Sequence, residues 1–409
     1  MSYFKNTKLD LNNATGDAFG RLRVSNPITL FDSKQLFDNA PLFWDESLET
    51  GAGITSAHDS DLAASTFTST LNTAGKYTRQ TFMRFNYQPG KSHMILLTGV
   101  LSNSGGGTGV QRSIGYFDDD NGIYFQDDED TIKVCLRTNT TGTPTDTKIA
   151  QSSWNVDPMD GTGPSGVTLD TSKTLIYAID FEWLGVGRVR TGIVIAGVTH
   201  VVHEFLHSNL ETDVYMSTPN LPIRYQMETT GASPASTMKC ICSSVISEGG
   251  VQDNGVLRYT STEGTHIDCN VANTVYAISG IRLKSTHLGS VVKIVSLTMV
   301  NATSDDYEWL LILNPTVAVP NTWTNQTNSS IQTTVGSTTA TDNVVTGGVK
   351  MIGGMVKAGG GTGSITIEIS NALLLGAAID GTVDEMYLCC RPFTANADID
   401  AGITWRELS

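Results

Sequence analysis

Near the middle of the chain His203, Glu204, Phe205, Leu206 and His207 spell H-E-x-x-H. On a helix this spacing sets both imidazoles on one face, where they can share a zinc ion while the glutamate acts as general base on the bound water. That chemistry needs a helix, and the residues leading into the motif argue against one. Val198, Thr199, His200, Val201 and Val202 are β-branched at all but one position, and such side chains lose rotamer freedom in a helix. Read with the two-residue period of a strand, His200, Val202, Glu204 and Leu206 share one face, and Val201, His203, Phe205 and His207 the other. His203 and His207 then stand roughly 13 Å apart, too far for one zinc. Leu210 and Asp213 occupy the places where a longer zinc motif needs glycine and histidine. Glu211 and Glu228 lie in loop-like or strand-like text. The sequence predicts a histidine-bearing strand, with no catalytic residue, metal or cofactor assigned.

Two other constellations carry potential chemistry. Asp180 and Glu182, ahead of Trp183 and the Gly185-Val186-Gly187 turn, would share a strand face roughly 6 to 7 Å apart. That spacing suits acid–base work on sugars. Any D-x-E in a strand meets it, so an exposed polar face is the plainer reading. Asp118-Asp119-Asp120-Asn121-Gly122 resembles a calcium loop, but its glycine falls one place early for that motif. Asn-Gly between two strand-like runs instead predicts a hairpin. No nucleophile elbow, phosphate loop or dinucleotide fingerprint occurs. The glycine runs 105–107 and 359–361 are flanked by strand-like text and open no helix for phosphate to meet.

The elements that would position these residues are short. Runs of Val, Ile, Thr, Tyr and Phe recur between Gly, Asn and Asp turns, and few segments hold an apolar helical period. Only 16% of the 409 residues are charged, and 40 are glycine. The pattern predicts an all-β protein. Expected strands include 78–87, 93–101, 112–117, 122–126, 132–137, 175–183, 188–195, 198–206, 223–229 and 238–247 in a first sandwich over 61–248. A second β-domain covers 249–409, with a Thr/Gly-rich insert of loops and short strands from 316 to 362. Residues 1–60 read as an extended arm. Its aromatics, Phe19, Phe31, Phe37, Phe43 and Trp44, follow no period, so they must dock on the next domain or on a neighbouring subunit.

Net charge −15 and a pI near 4.8 disfavour nucleic acid, whose phosphates require clustered Lys and Arg. No apolar run is long enough for a spanning helix, and the first ten residues lack a signal-peptide core. The six cysteines form no disulfide or zinc-ribbon pattern and read as free thiols in a reducing cytoplasm.

The segment Gly16-Asp17-Ala18-Phe19-Gly20-Arg21-Leu22-Arg23-Val24-Ser25, followed by Leu30-Phe31-Asp32-Ser33, resembles the opening of a group of tailed-bacteriophage virion structural proteins. The resemblance continues through Tyr87-Gln88-Pro89-Gly90-Lys91-Ser92, residues 114–122, Asp180 to Gly187, Thr218 to Tyr225 and Val245 to Gly250. It covers about the first 250 residues well and the rest loosely. The pair of runs from Leu175 to Leu206 is similar to the curved-sheet hairpins of concanavalin-like jelly rolls, a fold that implies a sugar-binding surface. The resemblance implies a non-enzymatic virion component, assembled in the host bacterial cytoplasm. It would be either a tail or baseplate appendage or a capsid-surface decoration or head fibre. Its partners would be other virion proteins, further copies of itself (a trimer, by analogy with fibres and spikes) and a host-surface glycan. Phe19, Arg21, Arg23 and Phe31 are the expected anchoring contacts. A zinc hydrolase working through His203, Glu204 and His207 is the third alternative.

Overall fold

The protein, seen here in a computed structural model, is described over residues 25–101, 107–357, 365–366 and 374–408. Its first unit contains strands β1 (Ile28–Lys34), β2 (Trp44–Gly51), β3 (Ile54–Asp59), β4 (Ala64–Ser69), β5 (Gly75–Thr81), β6 (His93–Val100), β7 (Val110–Phe117), β8 (Gly122–Asp128), β9 (Thr131–Thr138), β10 (Thr145–Ala150), β11 (Leu175–Phe181), β12 (Val189–Ile195), β13 (Val198–Phe205), β14 (Ile223–Thr229) and β15 (Ser236–Ser247). One sheet runs β13-β12-β11-β6-β15-β4-β3, with β1 also paired to β15. The facing sheet runs β10-β9-β8-β7-β14-β5-β2. Together they form a jelly-roll sandwich. The alternation that builds it is plainest in β6, where His93, Ile95, Leu97 and Gly99 are buried and the residues between them are half exposed.

A second pair of sheets follows. One holds Val256–Ser261, Ala397–Glu407, Val292–Asn301 and Ile365–Thr366 in that order, with Ile267–Cys269 also on Ala397–Glu407. The other holds Thr324–Asn325, Ile331–Val335, Tyr276–Leu283, Glu385–Pro392, Tyr307–Leu313 and Val349–Val356. A separate apolar core, including Ile281, Leu297, Trp309, Leu388 and Trp405, lies between them. The two units touch: Ala377 N–H donates to the Phe82 carbonyl at 3.1 Å, and Ile379 N–H to Asp45 Oδ2 at 2.7 Å. No described helix is long and apolar enough to cross a membrane.

The all-β expectation agrees with this architecture, and three local expectations are corrected. Residues 28–59, read as part of an irregular arm, supply β1, β2 and β3. Their aromatics follow no period because β1 carries a register shift between Thr29 and Phe31, and β2 one between Leu48 and Thr50. The strand expected over 78–87 stops at Thr81. The faces assigned to β13 fail at its centre. A bulge opposite Thr191 and Gly192 turns Val202 into the core, while Glu204 stays on the outer side.

Within the first core lies a buried ion pair. Arg112 and Asp127 are 0% and 3% exposed, with Nη1 and Oδ2 2.7 Å apart. Arg112 also donates to the Leu101 carbonyl at 3.2 Å. Burial pushes the Asp127 carboxyl up to about 6, against the pull of the guanidinium. Removing one partner leaves a buried uncompensated charge, which costs about 3–5 kcal/mol, whereas an apolar pair of similar volume is often neutral. Arg112→Met should therefore lower stability by about that much in urea titration. Arg112→Met with Asp127→Leu should recover most of it; a double variant as unstable as the single one would refute this account.

His93 is fully buried, with its ring against Tyr87 and Phe181 at 5.3 and 5.7 Å, and neither ring nitrogen makes a hydrogen bond of ordinary geometry. Burial lowers its pKa from 6.5 to about 4, and the backbone of Asn86 offsets only part of that. The folded value lies below the unfolded one. The contribution is thus fully present above pH 6.5 and is lost as pH falls toward 4, to a total of roughly 3 kcal/mol. His93→Phe should flatten the stability profile between those pH values, measured by thermal melts. An unchanged acid slope would assign it to other groups.

Candidate functional site

The outward residues of a sandwich sheet are set by the inward ones. On β11, Tyr177, Ile179 and Phe181 lie in the core, so Ala178 and Asp180 face outward. Register then aligns two rows across four strands. Met94, Asp180, Arg190 and Glu204 are successive cross-strand partners, as are Leu96, Ala178, Gly192 and Val201. Where Ala178 and Gly192 meet, nothing longer than a methyl group stands above the sheet. A Cβ at Gly192 would approach the His200 carbonyl oxygen to 2.8 Å, so glycine lets β13 pass close to β12. The outcome is a hollow of about 220 Å³, walled by Met94, Thr199 and Val201 and closed on one side by Asp180 and Arg190.

Asp180 and Arg190 form an ion pair in which Asp180 is largely covered. Burial pushes the Asp180 carboxyl up, the Arg190 guanidinium opposes this, and Glu248 nearby raises it further. Glu248 itself accepts from Ser92 Oγ at 2.8 Å. Arg188 lies 3.5 Å from Glu204 on the same face. A carboxyl with a raised pKa in a hollow, beside a guanidinium and within the field of a second carboxylate, can accept sugar hydroxyls or exchange protons with a bound substrate. Glu182, two residues on in the D-x-E spacing, takes no part. The strand ends at Phe181, and Glu182 enters the turn, where its N–H meets the Arg188 carbonyl at 3.1 Å and its side chain is exposed.

The outer face of the other sheet is different, because its guanidiniums are already occupied. Arg224 donates to Gln80 Oε1 at 2.7 Å and to Asp119 Oδ1 at 2.6 Å. Arg137 grips both oxygens of Asp146. Both guanidiniums lie over the Phe117 ring, which stacks on Tyr124 at 4.5 Å. These guanidiniums are thus held within the chain.

The H-E-x-x-H residues adopt the expected strand, with His207 just beyond its end. His203 Nδ1 accepts the Asn155 N–H at 3.2 Å, and burial lowers its pKa. His207 Nδ1 contacts the Gly187 carbonyl at 2.7 Å, and its ring stacks on Tyr215 at 4.2 Å. The two imidazoles are thus held by different partners and do not share the helical face that the zinc motif requires. Asp118 to Gly122 form the β7–β8 hairpin, in which Asp118 Oδ1 accepts from the N–H groups of Asp120 and Asn121. Of the expected anchoring residues, Phe19, Arg21 and Arg23 lie outside the described residues. Phe31 is 5% exposed, with its ring 5.2 Å from Phe85 and 6.1 Å from Trp44. It packs in its own sandwich and is not offered to a neighbour. Sequence reasoning passed over Arg190, Ala178 and Gly192, because only cross-strand register brings them to Asp180.

No protein-family model matches the chain, and no curated protein matches it. Solved structures do show similarity to part of the chain. A Bacillus licheniformis β-glucanase is 10% identical, with 53% of this chain and 96% of that one covered at a TM-score of 0.35. A legume lectin-like domain from Entamoeba histolytica is 9% identical, with 55% and 99% covered at 0.32. The CBM2 module of the evolved Dit of Lactobacillus casei BL23 phage J-1 is 6% identical, with 56% and 100% covered at 0.36. At these identities the likeness is one of fold, and it assigns no ligand or activity. It does overturn the expectation that the chain is not an enzyme. The solved structures it is similar to include two β-glucanases as well as a lectin-like domain.

Arg190→Met should push the Asp180 carboxyl still higher, because the opposing guanidinium is gone. Carbon-13 NMR titration of that carboxyl reads the shift, and an unmoved titration would mean that Arg190 does not tune it.

Proposed function

We propose that this chain is a structural component of a tailed-phage virion, carried on the tail or baseplate, that engages a host-surface saccharide through the Asp180 hollow. The observation that carries the binding role is the hollow itself. An open sheet face there holds a carboxylate–guanidinium pair above a floor of Ala178 and Gly192. Planar polar groups of this kind pair with vicinal hydroxyls, and a small apolar floor accepts the face of a sugar ring. The virion setting rests on the motifs shared with tailed-phage structural proteins, above all residues 16–25. We assign to Phe19, Arg21 and Arg23 the contact with a neighbouring virion protein. In a particle carrying several copies, weak saccharide contacts add up to firm attachment. A second reading, saccharide cleavage, is favoured by one observation, the raised Asp180 carboxyl in the field of Glu248.

Phage particles bearing Ala178→Leu, which fills the hollow, provide the test. Immunogold with antibody against residues 250–409 should label the tail of wild-type and variant particles alike, while the variant adsorbs to host cells at least tenfold more slowly. Unlabelled particles would sink the virion assignment, and label on the head would move the chain to the capsid. Normal adsorption by labelled variant particles would remove the hollow from binding. Reducing sugar released from host polysaccharide by wild type and not by Asp180→Asn would establish cleavage.

A further inference from the structure

A second hollow, of about 270 Å³, opens on the outer face of the sheet that contains Val256–Ser261, Ala397–Glu407 and Val292–Asn301. Its position follows from the same alternation. Ile399, Ala401 and Ile403 point into the second core, as do Leu297 and Met299. Asp400, Gly402, Thr298 and Val300 therefore face outward. Gly402 pairs with Ser261 on one side and Thr298 on the other. A Cβ there would come within 2.5 Å of the Tyr259 hydroxyl and 2.8 Å of its ring carbon Cε2. The Tyr259 ring thus leans across Gly402 while remaining 59% exposed.

Polar groups border this aromatic shelf. Asp400 Oδ2 lies 2.7 Å from His266 Nδ1, and Asp400 Oδ1 accepts from Thr262 Oγ1 at 3.0 Å. Both contacts orient the carboxylate at the margin of the hollow. The first hollow shares part of this plan: a carboxylate held by a nitrogen-bearing side chain, and threonine on the wall. The second adds an exposed aromatic face, on which the C–H face of a pyranose can stack while a carboxylate accepts its hydroxyls.

We propose that this hollow is a second saccharide site, taking a neutral pyranose stacked on Tyr259 with hydroxyls held by Asp400 and Thr298. The proposal extends the reading of the Asp180 hollow and rests on it for the class of ligand. Neutral sugars are favoured over acidic ones because the chain carries a net charge of −15 and Glu263 and Asp400 line the hollow itself. Two sites on one chain would make binding bivalent, and a linked pair can exceed either site alone by roughly a hundredfold or more.

The test uses the full chain on a printed array of neutral and acidic bacterial polysaccharides. Four proteins are compared: wild type, Asp180→Ala, Tyr259→Ala and the double variant, with Asp400→Asn as a second probe of this site. Thermal melts verify that each is folded. Each single variant is expected to lose at least tenfold in signal on neutral polysaccharides, and the double variant to lose all of it. If Tyr259→Ala and Asp400→Asn bind like wild type while Asp180→Ala does not, the second site is overturned and the first stands. The reverse pattern keeps the second site and removes the first. Wild-type signal on acidic polysaccharides alone overturns the assigned ligand class, and a blank array overturns both sites.

Discussion

Burial of Tyr177, Ile179 and Phe181 against the facing sheet is the constraint from which the outer surface follows. In a strand the side-chain period is two, and a slip by one residue would send all three side chains to solvent. Each side chain carries a large apolar area, so the register of β11 is held firmly. Its partners inherit that register through their hydrogen bonds, and the placement of Ala178, Asp180, Arg190 and Gly192 costs nothing further. The second sandwich repeats the logic with Ile399, Ala401 and Ile403, which set Asp400 and Gly402 outward.

Outer faces of equal origin are put to different uses. On the seven-stranded sheet, long side chains satisfy one another. The guanidiniums of Arg224 and Arg137 lie over Phe117 and Tyr124 and pair with Asp119 and Asp146, so desolvation of the charges is offset inside the chain. On the eight-stranded sheet, small residues at Ala178 and Gly192 leave a gap beside a charged pair. A hollow forms where register places two short side chains next to each other, and the cation beside it keeps the buried carboxylate from being an uncompensated charge.

Among the groups in the core of the first sandwich that do not suit an apolar interior are the Arg112–Asp127 pair and His93. The ion pair joins β7 to β8, and Arg112 also reaches the Leu101 carbonyl at the end of β6, tying the two sheets together. Such a contact specifies one arrangement of the sheets more than it stabilises it. His93 sits among aromatic rings, and burial there disfavours its charged form.

The sequence by itself determined the class of fold, because β-branched runs between glycine and asparagine turns leave no room for helices. It determined the strand at His203, from the branching at Val198 to Val202, and the hairpin at Asn121-Gly122. Where bulges interrupt the period, as in β1, β2 and at Val202, local pattern misled, since an extra residue flips every face beyond it. The tertiary structure alone decided which side chains meet. Asp180 and Glu182 are near neighbours in sequence yet part company where the strand ends. Arg190 and Gly192 reach their hollow through the register of the β11–β12 pair, and Tyr259 and Asp400 reach theirs through a pairing between strands far apart in sequence; such register is set by the burial of whole faces.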